Sequence, residues 1–205
     1  MEIIWKGHSC FLLREGDYTV CIDPYKDDTV PGLKPLRVKA DAVYCSHGHD
    51  DHCFTDGVEI TGEGKASPFR VVTMATWHDD EEGAKRGPNT VHIFECGNLR
   101  VAHFGDLGHL PNQAQLQTCG LLDAVMIPVG GFFTIDARTA QRLCGLLDTR
   151  IVIPMHYRTK LFGYPELGTL DQFLAFRDDV KRLNSDTLVL DADTPRQTAV
   201  LKYLG

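Results

Sequence analysis

The chain has 205 residues, enough for one domain with a sizeable core, and we expect residues 1–205 to form a single domain. Hydrophobic residues make up 43% and charged residues 24% of the chain, both ordinary for a globular protein, so extensive disorder is excluded. The net charge of -7 argues against a dedicated duplex-DNA or membrane-surface binder, because either would show a basic excess.

Short apolar runs rich in Val, Ile and Phe predict that much of the chain forms β-strands. The expected strands are residues 2–5, 10–14, 18–22, 42–45, 70–75, 90–96, 99–104, 124–129, 150–154, 187–190 and 197–203.

Three segments have the apolar spacing or the end signals of helices. They are residues 112–119, which stop at Gly120, residues 135–147, and residues 170–183, which begin with the capping-box pattern Thr169-Leu170-Asp171-Gln172. Strands first, then alternating strands and helices, predict an α/β layered domain. No run approaches 18 consecutive apolar residues, so no membrane-spanning segment is expected.

A weak internal repeat at an offset of about 80 residues links the two halves of the chain. Residues 20–23 echo the strand that leads to Asp106, residues 41–43 echo 123–125, and residues 70–72 echo 150–152. The pattern predicts two similar halves that meet face to face. Coincidence among Val-rich strands is the alternative.

The cysteines and the first residues indicate a reducing compartment. Seven cysteines, an odd number without a C-x-x-C pair, do not resemble a disulfide framework, so we expect free thiols in a cytoplasmic protein. Cys45 and Cys53 are expected to be buried packing thiols. The opening residues carry no basic segment followed by a long apolar run, so no secretory signal is expected.

The most informative segment is Ser46-His47-Gly48-His49-Asp50-Asp51-His52, which contains H-x-H-x-D-H directly after an expected strand. Imidazoles and a carboxylate suit a borderline metal such as zinc. Side chains at i and i+2 can converge on one ion, while the Asp-His pair that follows can turn toward a second. A solvated polar loop is the plainer interpretation.

The order of motifs along the chain resembles that of the metallo-β-lactamase-fold superfamily. Members share an Asp at a strand end, the H-x-H-x-D-H loop, a lone His, a Gly-Asp pair and a final His. This chain has them as Asp23, residues 47–52, His78, Gly105-Asp106 and His156. Residues 5–9 and 127–131 also resemble small stand-alone bacterial and archaeal hydrolases related to ascorbate-phosphate lactonases. The resemblance implies a four-layer αββα sandwich with pseudo-twofold halves.

The resemblance also implies a site for two divalent metal ions, zinc in the first place and Mn²⁺ or Fe²⁺ as alternatives. The first site would take His47, His49 and His78, and the second would take Asp51, His52 and His156. Asp106 would bridge the ions, and Asp51 and Asp106 would belong to the catalytic centre. Asp23 would orient a ligating histidine, although an Asp-Pro turn is the plainer option.

The remaining candidates come from their positions in the chain. His8, in the first turn, is a candidate catalytic residue beside the metal ligands or at the substrate mouth, and His109, just after Asp106, could line the site. His92 and His103 are expected to be structural. Phe132 and its neighbour Phe133 are candidates for an apolar wall, with a mere turn as the alternative. Arg158 and Lys160 are candidates for binding an anionic substrate group, with surface charges as the alternative.

These observations predict a hydrolase that uses a metal-activated hydroxide on a small ester, lactone, thioester, amide or phosphodiester. No G-x-S-x-G segment is present, so covalent serine chemistry is not required. The partner is expected to be a small molecule, neither nucleic acid nor a membrane, and the sequence sets no oligomeric state. The alternatives are an iron-dependent enzyme similar to sulfur dioxygenases, a phosphodiesterase or nuclease, and a non-catalytic metal-binding module.

Overall fold

The computed structural model describes residues 1–205 and contains fourteen strands, three α-helices and a 3₁₀ turn at Thr55–Gly57. The strands are β1 (Glu2–Gly7), β2 (Cys10–Glu15), β3 (Tyr18–Ile22), β4 (Val38–Ala40), β5 (Ala42–Tyr44), β6 (Val58–Ile60), β7 (Arg70–Trp77), β8 (Pro88–Cys96), β9 (Leu99–His103), β10 (Ala124–Pro128), β11 (Ile151–Met155), β12 (Val180–Arg182), β13 (Thr187–Val189) and β14 (Gln197–Val200). The helices are α1 (Gln113–Cys119), α2 (Ala137–Leu147) and α3 (Leu170–Leu174). None of them combines the length and apolar character needed to cross a bilayer.

Two large sheets form the centre of the molecule. The first has the strand order β13-β1-β2-β3-β5 and is antiparallel except for the parallel pair β3 and β5. The second has the order β12-β14-β11-β10-β9-β8-β7, with an antiparallel end at β7 to β9 and parallel strands beyond. The two sheets pack face to face. The ring centroids of Phe11 on β2 and His103 on β9 lie 5.8 Å apart, and those of Tyr44 on β5 and Phe94 on β8 lie 5.3 Å apart.

The outer layers of the two sheets differ. Every residue of β10 and β11 is buried, as expected for parallel strands covered on both faces, and Leu143 of α2 and Phe173 of α3 pack into the same core. On the other side, alternate residues of the five-stranded sheet, such as Leu12 and Cys21, pack under Tyr25 and neighbouring residues of the following segment. That layer is formed by loops and the short parallel pair β4–β6.

Two of the three sequence echoes correspond to equivalent structure. Asp41, before β5, donates its N–H to Thr19 O and accepts the Thr19 N–H at 2.7 Å. Asp123, before β10, makes the same pair of bonds with Arg100, at 2.8 Å each. Each carboxylate also binds a cation, Lys65 at 2.8 Å or Arg150 at 2.7 Å.

The third echo is not structural. Residues 70–72 belong to β7, the antiparallel edge of the seven-stranded sheet, whereas 150–152 lead into β11 in the parallel part of that same sheet.

The prediction of one helix over residues 170–183 is wrong in its second half. The capping box of Thr169 and Gln172 begins α3 as expected, but the helix ends at Leu174. Residues 180–182 instead form β12, which pairs in parallel with β14. Arg177 fixes the change of direction by binding both Asp179, at 2.8 Å, and the hydroxyl of Thr198, at 2.7 Å. Pairing with the open edge of β14 therefore determines the structure of this segment, although Val180 and Leu183 have the spacing of a helix.

The other helices begin near their expected positions, with Asn112 capping α1 and Asp136 capping α2. The strand expected at 197–203 ends at Val200, and the short strands β4, β6 and β12 were not predicted.

Candidate metal centre

The candidate site lies where several strands end at the same rim of the sandwich. Asp23 follows β3, His47 follows β5 after a short connection, and His78 follows β7 directly. Asp106 follows β9, and His156 follows β11 directly. Crevices at the carboxyl ends of parallel strands are the usual location of ligand sites in open α/β sheets, and this topology brings together residues more than 100 positions apart.

Three residues of this rim adopt left-handed backbone conformations that side chains other than glycine rarely take. His8, Asp23 and His156 have φ angles of 51°, 48° and 52°. Each such residue costs free energy, and such residues cluster at functional sites. The three strained residues therefore indicate that this rim is a functional site.

The first group of potential ligand atoms comes from His47, His49 and His78. One ligand atom from each lies within 4.8 Å of the others. His47 is half-buried, His49 is exposed and His78 is buried, so the group opens to solvent on the His49 side.

The second group comes from His8, Asp51, His52 and His156, whose ligand atoms also lie within 4.8 Å of one another. The side chains of His8, His52 and His156 are almost completely buried. His8 Nε2 lies 3.4 Å from Asp51 Oδ2. The sequence placed His8 beside the ligands or at the substrate mouth, and the structure places it beside Asp51 and away from the pocket lining.

Asp106 lies between the two groups. Its Oδ2 is 3.3 Å from His78 Nε2 in the first group, and 3.2 Å and 3.1 Å from His52 Nε2 and His156 Nε2 in the second. Asn89 Oδ1 accepts the Asp106 N–H at 2.9 Å. Gly105, at φ 53°, lets this segment approach closely, because a Cβ there would lie 2.4 Å from the Ser46 side chain.

The polar atoms of this cluster lack the partners that buried polar atoms normally have. Eleven buried side-chain nitrogen and oxygen atoms lack a hydrogen bond, and seven of these atoms, in six residues, belong to this cluster. They are both ring nitrogens of His8, Nε2 of His47 and His52, Nδ1 of His78 and His156, and Asp106 Oδ1. Buried imidazole and carboxylate atoms without partners, on residues whose ligand atoms lie within 4.8 Å of one another, fit divalent cations, which these ligand types bind.

Asp23 fixes the orientation of two of these histidines. It is completely buried, and its Oδ2 lies 2.8 Å from His52 Nδ1 and accepts the Ser46 hydroxyl at 2.6 Å. The Ser46 oxygen lies 2.9 Å from His47 Nδ1. When both Nδ1 atoms donate, each Nε2 has a free lone pair for a metal ion.

The electrostatics agree with a site that binds cations. Burial lowers the pKa of His47 to about 3 and that of His8 to about 4, so both rings stay neutral near pH 7. Burial also opposes charge on His52, but the Asp106 carboxylate raises the pKa of His52 well above its usual value. Burial raises the pKa of Asp106, but His156 and His52 outweigh it and hold that pKa well below its usual value. A bound cation would take the place of the proton that the Asp106 carboxylate favours on His52.

A pocket of about 360 Å³ opens onto the cluster. It is lined by His49, Asp51, His78, Arg86, Asp106, Phe133, His156 and Tyr164. The Tyr164 hydroxyl donates to Asp51 Oδ2 at 3.3 Å, and burial raises the pKa of this phenol, so it stays protonated. Sequence reasoning did not single out Arg86 or Tyr164, because both come from irregular segments without a motif.

Of the residues expected to contact the substrate, Phe133 lines this pocket, whereas Phe132, Arg158 and Lys160 lie outside it. Phe132 sits in a left-handed turn with 63% of its surface exposed, and the neighbouring Phe133 lines the pocket instead. Arg158 uses its Nε–H to bind Leu167 O, and Lys160 is exposed without an ion pair. The structure therefore does not bring Phe132, Arg158 and Lys160 to the site.

His109 and the two structural histidines are also located elsewhere. His109 donates from Nδ1 to Leu110 O at 2.9 Å and accepts the Trp77 N–H at Nε2, so both ring nitrogens are occupied outside the pocket. His103 lies between the sheets, 2.8 Å from Ser9 O. His92 lies next to Tyr44, with ring centroids 5.5 Å apart.

The expectation that Cys45 and Cys53 are free thiols is wrong. The two form a disulfide, with Cα atoms 5.3 Å apart, while the other five cysteines are free. The turn of the H-x-H-x-D-H segment brings the residues on either side of it together. Eight-residue spacing alone does not reveal this pairing.

Comparisons with known proteins place these features in a wider context. A family model described as a β-lactamase superfamily domain matches residues 2–156. A UPF0173 metal-dependent hydrolase of Thermoplasma acidophilum is 28% identical over 190 residues, covering 78% of this chain and 84% of the relative. One from Archaeoglobus fulgidus is 28% identical over 196 residues, with the same coverage. A crystal structure from Thermotoga maritima, described as a proposed Zn-dependent hydrolase of the metallo-β-lactamase superfamily, is 31% identical with a TM-score of 0.77, covering 98% of this chain and 97% of that one.

Proposed function

Because the chain belongs to the β-lactamase superfamily, we propose that it is a metal-dependent hydrolase of small molecules that holds two divalent ions at the rim described above. The observation that carries the proposal is the convergence of buried imidazole and carboxylate atoms that have no other partner. Relatives of similar length described as metal-dependent hydrolases support the same reaction class.

The ligand sets follow from the grouping of the donor atoms. His47, His49 and His78 would hold one ion, and Asp51, His52 and His156 would hold the other. Asp106 would bridge the two, since its Oδ2 contacts histidines of both groups. His8 adds a fourth donor to the second group. Imidazole and carboxylate ligands favour zinc, with manganese or iron as alternatives.

When bound, such ions lower the pKa of a coordinated water toward neutrality and polarise the oxygen of a carbonyl or phosphoryl group. The chain's own residues hold this arrangement in place. Asp23 orients His52 directly and His47 through Ser46, while Asn89 fixes the backbone of Asp106. Tyr164 holds a proton on its hydroxyl at the edge of the pocket, 3.3 Å from Asp51.

The size of the pocket limits the substrate. A volume of about 360 Å³ is at the lower end of the range for small-molecule sites. An ester, lactone, thioester, amide or small phosphodiester would fit, and these groups react by attack at a polarised carbonyl or phosphoryl centre. A long nucleic acid would have to bind mainly outside this pocket, on a chain whose net charge is -7.

The test combines metal analysis with reconstitution. Protein purified without added metal is analysed for bound metals, stripped with a chelator, and restored with zinc or manganese while the hydrolysis of generic esters and phosphodiesters is followed. The proposal predicts that hydrolysis disappears on stripping and returns with metal. Hydrolysis indifferent to chelation would contradict it, and stoichiometric iron with oxygen uptake but no hydrolysis would replace it with an iron-dependent oxidation.

A further inference from the structure

The segment between His78 and β8 is wound around one buried carboxylate. Asp79, only 3% exposed, accepts four backbone N–H groups at 2.7–3.0 Å. The donors are Glu81, Gly83, Lys85 and Arg86. The segment is also closed at its ends, because the His78 N–H donates to Gly87 O at 3.1 Å. A rigid loop of this kind fixes where its last side chains emerge.

The side chain of Arg86 emerges from this loop into the candidate pocket. Its guanidinium carbon lies 5.6 Å from the ring centroid of Phe133, within the range of a cation–π contact. Both residues line the pocket together with the proposed metal ligands. The Asp79 loop therefore fixes the backbone of Arg86, and the Phe133 ring contacts its guanidinium group.

Arg86 has no carboxylate partner although acidic residues surround it in the sequence. The other cation of the loop, Lys85, pairs with Glu81 at 2.7 Å and lies 3.7 Å from Asp80. Arg86 makes no ion pair, and its side chain makes no hydrogen bond; its only bond of this kind is through its backbone N–H to Asp79. A half-buried guanidinium thus presents unused N–H donors to the pocket.

We propose that Arg86 binds an oxyanionic group of the substrate, a carboxylate or a phosphate, and that the enzyme therefore acts on small anionic molecules. The planar guanidinium matches either group with two parallel N–H bonds. Phe133 and Tyr164, with ring centroids 5.8 Å apart, provide an apolar wall for the body of such a molecule. The inference rests on the proposed hydrolase function, since it places the reacting bond at the metal ligands.

The charge of the protein makes a dedicated cation useful. The chain carries a net charge of -7, which repels anions at long range. Arg86 and bound metal ions would make the pocket locally positive. The sequence had assigned the anion-binding role to Arg158 and Lys160, and the geometry points to Arg86 in their place.

The experiment compares three esters with the same leaving group: 4-nitrophenyl hexanoate, mono-4-nitrophenyl adipate and 4-nitrophenyl 5-phosphonopentanoate. We expect wild type to prefer one or both of the anionic esters. Arg86→Ala should lower kcat/KM for the preferred ester about 10- to 100-fold, mainly through KM, and change the neutral ester less than about twofold. A preference for one anionic ester identifies the group as a carboxylate or a phosphonate, and a preference for both shows that the pocket accepts either.

The matched control is Arg138→Ala. Arg138 also lies over a phenyl ring, that of Phe176 at 5.3 Å, but it does not line the pocket, so all three rates should stay unchanged. Equal rates for the three esters in wild type, with no effect of Arg86→Ala, would overturn the inference and leave the proposed function standing. Absence of metal-dependent hydrolysis of every ester would contradict the proposed function itself.

A binding measurement tests anion binding by Arg86 even if the protein hydrolyses none of the esters. Adipate and inorganic phosphate are added to protein as purified, and the midpoint of thermal unfolding is followed. A rise in Tm for wild type that is lost in Arg86→Ala but kept in Arg138→Ala supports the inference. The same rise in all three proteins, or none in wild type, overturns it.

Discussion

Oδ2 of Asp23 lies 2.8 Å from Nδ1 of His52, and the same oxygen accepts the hydroxyl hydrogen of Ser46. The Ser46 oxygen in turn contacts Nδ1 of His47. One buried carboxylate therefore orients a histidine in each of the two proposed ligand groups, His52 directly and His47 through Ser46. Partners of this kind fix the ring and tautomer of a metal-binding histidine. Asp23 would therefore orient one ligand of each proposed ion without itself being a ligand.

Asp23→Asn tests this relationship. The amide oxygen can replace only part of what two carboxylate oxygens accept, so we expect metal affinity to fall about 10- to 100-fold. Competition with a chromophoric chelator measures the affinity, and circular dichroism checks that the fold is retained. An unchanged affinity in a folded variant would show that Asp23 serves only as a turn residue.

Asp51 and Asp50 form a matched pair in the proposed metal loop. Asp51 lies beside His8 and His52, whereas Asp50 is exposed and pairs with Lys26 at 3.0 Å. Asp51→Asn should lower kcat/KM by more than about 100-fold, because loss of a ligand exceeds the loss expected from a supporting residue. Asp50→Asn should stay near wild type. Equal effects of the two substitutions would exclude Asp51 as a ligand.

The Cys45–Cys53 disulfide closes the segment that carries four proposed ligands. A bridge across so short a loop is expected to contribute about 2–3 kcal/mol by restricting the unfolded chain. Denaturant unfolding of metal-free Cys45→Ser/Cys53→Ser should show a loss of this size. Cys96→Ser, which removes a free thiol, is the control and should unfold like wild type. Equal stability of all three proteins would contradict the prediction.

Asp41 gives the pH dependence of stability a defined sign. The ammonium of Lys65 at 2.8 Å, with help from the Thr19 N–H and the Thr61 hydroxyl, holds the pKa of Asp41 below its ordinary value. A carboxylate whose folded-state pKa is depressed stabilises the protein above its unfolded-state pKa, and this contribution is lost as the pH falls through the folded-state value.

Asp41→Asn should therefore lower Tm at pH 7, and the difference from wild type should shrink as the pH falls below about 4, the ordinary pKa of an aspartate. Asp56→Asn is the control, because Asp56 is exposed and makes no side-chain hydrogen bond. A difference in Tm between Asp41→Asn and wild type that stays constant from pH 7 to pH 3 would contradict the account.

The sequence predicted most of what depends on strands and on residues next to them. The expected α/β sandwich of the metallo-β-lactamase fold is confirmed by the comparisons. His78, Asp106 and His156 were predicted to share a site from the order of motifs and from their positions after apolar strands. The structure brings the three side chains together where parallel strands end, and their role as ligands stays a prediction. The residues of this rim can therefore be found in the sequence just after each predicted strand.

Features set by tertiary packing could not be read in the same way. Arg86 reaches the pocket because a loop winds around Asp79, and no spacing in the sequence reveals that winding. Residues 180–182 have the apolar spacing of a helix, but they form a strand because they pair with the open edge of β14. Phe132 and Phe133 are adjacent, and only the left-handed turn at Phe132 decides which of them faces the pocket.

Anomalous diffraction from crystals of the zinc-loaded protein would locate the ions and their ligands. We expect two peaks at this rim, one among His47, His49 and His78 and the other among Asp51, His52 and His156, with Asp106 contacting both. A metal bound elsewhere, or peaks that leave His78, Asp106 and His156 without a metal contact, would contradict this expectation.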